Sequence, residues 1–303
     1  MFNQIERASM ATYIFDTSSL RGISRSRLET TALSHTILIS PVTFWELLCH
    51  LDEGEFLRCR GQILKCQVAS ILPDPLAEVA NDLNASACVS SSRLEDQFAI
   101  PQLLELLQRA ETLDEFLNYE APLREGLRLG EVVERTRQVL ADEEAKYIGD
   151  VANCARKLVR ELGYPNTLTL SGMDFVQQAS GLARGFVIDF QALEVSYERM
   201  FGCLVDRTYL AAGYKLQRTI GCLRNASDVE SLAVDGNDTE DYLISFHISC
   251  SSERVLVTED EGTANAISNS VENLRIAYDG EPEESQVLAR VINNEQFWSE
   301  VSE

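Results

Sequence analysis

Four stretches of this 303-residue chain set acidic residues beside a change from strand-like to helix-like sequence. Asp16 closes the apolar run Thr12-Tyr13-Ile14-Phe15 and is followed by Thr17 and Ser18. Glu46 lies in Pro41-Val42-Thr43-Phe44-Trp45-Glu46-Leu47, just after the apolar run Thr36–Ser40. Asp238 and Asp241 lie in Asn237-Asp238-Thr239-Glu240-Asp241, which leads into Tyr242–Phe246. Asp260 follows Val255-Leu256-Val257-Thr258-Glu259. In open α/β sheets the carboxyl ends of the strands line the ligand crevice. Carboxylates gathered there repel one another unless a cation joins them. Oxygen donors without His or Cys select Mg²⁺ or Mn²⁺. Such a site suits phosphodiester hydrolysis by a metal-activated water. Taken singly, each acid also has a structural explanation. Thr43-x-x-Glu46 and Asp238-x-x-Asp241 read as capping boxes, and Asp260 could serve a turn before Gly262.

The elements that would position these acids follow from hydrophobic pattern. Thr12–Phe15, Thr36–Ser40, Arg254–Thr258 and Leu274–Tyr278 read as buried strands, and Ser70–Asp74 as a strand or loop. From about residue 76 to 222 the pattern is helical. Leu103, Leu106, Leu107, Ala110, Leu113 and Leu117 repeat at helical spacing. Val132 to Leu162 predicts one long helix, stopped by Gly163 and Pro165. More helix is expected from Phe175 to Leu223. The fold class is therefore α/β: an open parallel sheet flanked by helices and interrupted by a mostly helical insertion. The expected division is 11–84 for the first part of the sheet, 85–222 for the helical region and 223–303 for the second part with an acidic end.

The ordered acidic set resembles the PIN-domain ribonucleases. The resemblance rests on Tyr13–Ser18, Pro41–Leu47, Asn237–Ile244 and Val255–Asp260. It implies a parallel sheet sandwiched by helices and a Mg²⁺ or Mn²⁺ site of three or four carboxylates. Carried over, Asp16, Glu46, Asp241 and Asp260 match the catalytic and metal-binding acids. Asp238 is an alternative or auxiliary third acid. Thr17 or Ser18 and Thr258 match the small hydroxyl residues that support them. Many members are toxins of toxin–antitoxin pairs, so the resemblance also implies an RNA substrate and a protein inhibitor. It covers roughly residues 11–75 and 226–280. Glu46 and Asp241 stand 195 positions apart, more than a small PIN toxin needs.

Charge constrains how RNA would be held. The chain has 26 basic and 48 acidic residues, a net of −22, concentrated in its last 80 residues. That excludes a whole-surface electrostatic grip on nucleic acid. Contact must use a local basic patch or ions that neutralise clustered carboxylates. Arg21, Arg25 and Arg27, just after Asp16, are the expected substrate-binding group; Arg58, Arg60 and Lys65 form a second, and Arg156, Lys157 and Arg160 a third. The acidity also supports a second reading, a non-cleaving PIN-like module that binds a basic protein partner. Eight scattered cysteines, no C-x-x-C pair and no basic-then-apolar leader point to a cytoplasmic protein without a disulfide framework. A P-loop and a dinucleotide fingerprint are missing, and Ser18 stands where a haloacid-dehalogenase type would have Asp. No Ser-His or Cys-His pair stands out as a nucleophile system.

Overall fold

The computed structural model describes residues 10–83, 91–163, 170–189, 202–251, 253–278 and 288–302. The apolar run that ends at Asp16 becomes β1 (Thr12–Phe15), the middle strand of the sheet. It is followed by α1 (Thr17–Gly22) and α2 (Arg25–Thr31). Then come β2 (Thr36–Ile39), α3 (Pro41–Cys49), α4 (Phe56–Ile63) and the two-residue β3 (Ser70–Ile71). A helical stretch follows: α5 (Pro75–Asp82), α6 (Ser91–Arg109), α7 (Leu113–Asn118), α8 (Leu129–Leu162), α9 (Gly172–Asp189) and α10 (Tyr209–Asn225). The chain then forms α11 (Asp238–Ile244), β4 (Arg254–Val257), α12 (Glu261–Ala277), β5 (Arg290–Ile292) and α13 (Asn294–Val301). The sheet runs β3-β2-β1-β4-β5 and every pairing is parallel. This is the open parallel sheet flanked by helices that the sequence predicts.

Alternation along the strands feeds two cores. Tyr13, Phe15, Ile37, Ile39, Val255 and Val257 pack with Leu103, Leu107, Phe116, Val132 and Phe297. Ile14 and Leu256 pack on the other face with Tyr147, Val151, Phe175, Tyr214, Ile267 and Val271. The first part of α8 therefore joins one core and its later part the other. Its 34 residues reach about 50 Å at 1.5 Å per residue, enough to cross from one core to the other. Among the described residues no helix is long and apolar enough to cross a membrane.

One strand read from the sequence is corrected. Leu274–Tyr278 is not a strand. It ends α12, where Ala266, Ile267, Ser270, Val271 and Leu274 are buried at helical spacing and Asp260 caps the start. The fifth strand is instead Arg290–Ile292, too short to announce itself by pattern. The long helix ends as expected at Leu162, with Gly163 at φ 83°, but Pro165 lies outside the described residues. So does Cys88; the other seven cysteines are free.

A buried ionic group ties the helices to the sheet. His247 is fully buried, with Nδ1 2.8 Å from Glu78 Oε2 and Nε2 2.9 Å from Ser40 Oγ. The Arg254 and Arg207 guanidiniums lie 3.3 and 3.6 Å from the same carboxylate. Burial works to raise the pKa of Glu78, but the His247 hydrogen bond and these charges outweigh it and hold the carboxyl below its ordinary value. The sequence showed no Ser-His pair, yet Ser40 and His247 form one. Both are fully buried, and Ser40 Oγ accepts from the Val42 N–H to cap α3, so the pair is structural. Glu78→Ala removes the counter-charge that the two arginines share. It should lower the urea midpoint at neutral pH, costing about 3–5 kcal/mol; a loss below about 1 kcal/mol would contradict this account.

Candidate functional site

Asp16 leaves the carboxyl end of the central strand and caps α1 by accepting from the Ser19 N–H at 2.8 Å. Its second oxygen accepts from Thr258 Oγ1 at 2.5 Å and Ser18 Oγ at 2.8 Å. The residue is 2 % exposed. Burial pushes its pKa up, and the hydrogen bonds from Thr258, Ser19 and Ser18 pull it part of the way back. Thr258 also accepts from the Asp260 N–H at 3.0 Å, so one hydroxyl joins the two strand-end acids. Asp260 caps α12 through the Thr263 N–H at 2.6 Å.

The other two acids come from helices. Ser40 and Pro41 start α3, so Thr43-x-x-Glu46 is not a capping box. The Thr43 hydroxyl is buried without a partner, and Glu46 instead accepts from the Thr17 hydroxyl. Desolvation and the nearby Asp16 raise the pKa of Glu46, against Thr17 and Arg21. On α11, Asp241 accepts from Thr263 Oγ1 at 2.5 Å. Its pKa is pushed up to about 7, first by burial and then by Asp16, Asp260 and Glu46. Each of Asp16, Glu46 and Asp241 thus has a threonine hydroxyl of its own.

These acids line one cleft of about 650 Å³ beside the carboxyl ends of β1 and β4. Thr17, Ser18 and Arg21 line it as well. Asp238 does not. It is not the helix N-cap either: that position is Asn237, which makes no side-chain cap bond. Asp238 is turned to Arg218, which grips it with two guanidinium nitrogens, one at 2.8 Å, and it lines a separate cavity. Burial raises the Asp238 pKa, and the Arg218 hydrogen bonds and charge oppose the rise.

Sequence reasoning missed Glu240, which lines the cleft and has its pKa raised to about 8 by burial, Glu46, Asp241 and Glu144. Helical spacing carried the signal. Positions 237, 240 and 241 stand at i, i+3 and i+4, one face of a helix, while 238 turns away. Asp52 and Glu55 also reach the cleft.

The basic groups divide. Arg21 lies in the cleft, half-exposed and 3.9 Å from Glu46. Arg25 is paired with Glu29 at 2.8 Å, and Arg27 lies 4.5 Å over the Trp298 ring; neither lines the cleft. In the second group, Arg58 lines the cleft paired with Glu55, Arg60 donates to the Ala110 carbonyl, and buried Lys65 donates to the Leu20 carbonyl at 2.7 Å. Arg156, Lys157 and Arg160 are exposed on α8. The cleft thus holds seven carboxylates against two guanidiniums.

The donor chemistry fits a hard divalent cation: oxygen ligands, burial, and mutual repulsion that raises pKa values. Side-chain placement is looser. Among the described residues no three His, Cys, Asp or Glu side chains are grouped closely enough to hold a metal ion. Thr17, Thr258 and Thr263 hold the acids around the cleft wall. The chain matches no protein-family model, no curated protein and no solved structure.

The raised pKa values set a pH dependence. A carboxyl whose pKa is higher folded than unfolded binds its proton more tightly in the folded state. Stability is then greatest below the unfolded value, near 4, and falls as pH rises towards the folded values of about 7 and 8. In EDTA, Asp241→Asn and Glu240→Gln should each raise the melting temperature by roughly 2–5 °C at alkaline pH and change it little near pH 4. A shift of equal size at both pH values would show that the acids are not strained in this way.

Proposed function

We propose that the chain is a PIN-type, divalent-metal-dependent endoribonuclease. One observation carries the reading. Asp16, Glu46, Asp241 and Asp260, scattered from near the start of the chain to its last fifth, line one cleft beside the carboxyl ends of adjacent parallel strands. Carboxylates gathered so that burial and neighbouring acids raise the pKa values of Glu46 and Asp241 are costly unless they have work to do, and relief by a cation is the simplest work available.

Asp16, Asp241 and Asp260 would hold Mg²⁺ or Mn²⁺, with Glu46 beside them. The ion would polarise the phosphate, lower the pKa of a water and steady the leaving oxygen. The chain's own part is positional. Thr258 fixes Asp16 and the Asp260 backbone, Thr263 fixes Asp241 and Asp260, and Thr17 fixes Glu46. Arg21, half-exposed in the cleft, would meet a phosphate of the substrate, and Lys65 anchors its helix by holding the carbonyls of Leu20 and Arg21. The surplus of seven carboxylates over two guanidiniums in the cleft supports a second reading, a non-cleaving module for a basic partner.

Metal and RNA separate the two readings. Mn²⁺ should raise the melting temperature of the wild type more than that of Asp16→Asn. Labelled RNA should be cut with Mg²⁺ or Mn²⁺, not in EDTA, and Asp16→Asn or Asp260→Asn should slow cutting by at least about a hundredfold with the fold intact. Equal thermal shifts together with no cutting would leave the basic-partner reading in possession. Arg21→Ala should weaken RNA binding and flatten its salt dependence, measured by anisotropy. Arg25→Ala and Arg27→Ala should do neither, because both residues lie outside the cleft.

A further inference from the structure

The cavity on the far side of Asp238 has a chemistry of its own. It measures about 310 Å³, at the lower end of the roughly 300–1,000 Å³ of small-molecule sites. One wall is α10, from which Gln217, Gly221 and Asn225 line it at i, i+4 and i+8, a single helix face. A side chain added at Gly221 would meet nothing within 4 Å, so this wall is bare backbone flanked by two amides. Among the described residues neither Gln217 nor Asn225 makes a side-chain hydrogen bond. The facing wall includes Ser231 and Asp235. The Cys222 thiol donates to the Ala233 carbonyl at 3.3 Å and ties the walls together.

Arg218 also belongs to the cavity, and its plane is fixed. Asp238 grips Nε and one terminal nitrogen, while Nη1 lies 2.6 Å from where a Gly262 Cβ would stand. Gly262 is two residues from Asp260, so Arg218 spans the partition between cavity and cleft. On the same partition, Asn237 lines the cleft and its neighbour Asp238 lines the cavity.

This lining selects among ligands. Asp235 and Asp238 against one arginine disfavour a free phosphate, and the amides and hydroxyl disfavour a purely apolar guest. A guanidinium locked in one plane is a stacking surface for a flat heterocycle. A pair of amides can read a base edge by donating and accepting at once. We propose that this cavity takes a nucleobase, that of a nucleotide flanking the cut phosphate; its place on the RNA path rests on the reading of the cleft as a nuclease site.

The test uses the four ribonucleosides, adenosine, guanosine, cytidine and uridine, at millimolar concentration, with saturation-transfer NMR on the full chain. At least one should bind. Gly221→Leu, which fills the open space and favours helix, should abolish binding with no loss of melting temperature. Gln217→Ala with Asn225→Ala should weaken binding by about tenfold or more. No transfer to any nucleoside, or unchanged binding in the filled variant, would overturn the assignment. RNA cutting without nucleoside binding removes the cavity and leaves the cleft reading intact. Nucleoside binding without metal-dependent cutting does the reverse.

Discussion

The hydroxyl of Thr258 joins the end of β4 to the end of β1, and the cleft is built outward from that junction. It donates to a buried carboxylate and accepts the N–H of the next acidic residue but one, so two chain segments 242 residues apart are fixed to one another. Thr17 and Thr263 repeat the device for the two helix-borne acids. A threonine is well suited to this. Its β-branched side chain has few rotamers, so the hydroxyl is held in direction as well as distance. The result is a cleft whose like charges are kept apart by directed donors, with a proton retained well above the usual carboxylate range on some of them.

What the sequence made legible was the chain's alternation between period-two and helical patterning. Val255–Val257 and Tyr13–Phe15 are apolar enough to be central strands wherever they fall, and each carries its acid just beyond its end. Leu274–Tyr278 has the same local composition and became helix. The ambiguity of a short apolar run is settled by the residues before it, Ala266 to Val271, whose burial has helical spacing. β5 escaped notice because three residues hold no period. The site divided in the same way. Backbone position told which acids stand at strand ends. It did not tell that Arg218, on another helix, would draw Asp238 aside, or that Arg27 would settle on Trp298, because both depend on partners distant in sequence.

The helical stretch between the two halves of the sheet does not hang from it as an appendage. Leu103, Leu107 and Phe116 lie in one core, Phe175, Tyr214 and Ile220 in the other, and α8 contributes to both. Removing it would strip apolar cover from each face of a sheet whose strands are apolar on both. Its length is therefore explained by packing before any role in substrate handling is needed.

The central strand finds one neighbour soon, since β2 begins 21 positions after β1 ends, and the other only after the long helical detour. On the ribosome, β1 and β2 emerge first and wait with an open edge until Arg254–Val257 appears. Closing so distant a pair is the slow, late part of folding. Asp241 and Asp260 arrive with that closure, so an unfinished chain has no complete acidic cleft. The topology acts as a timer: whatever chemistry the cleft performs must wait until the two halves of the sheet have met.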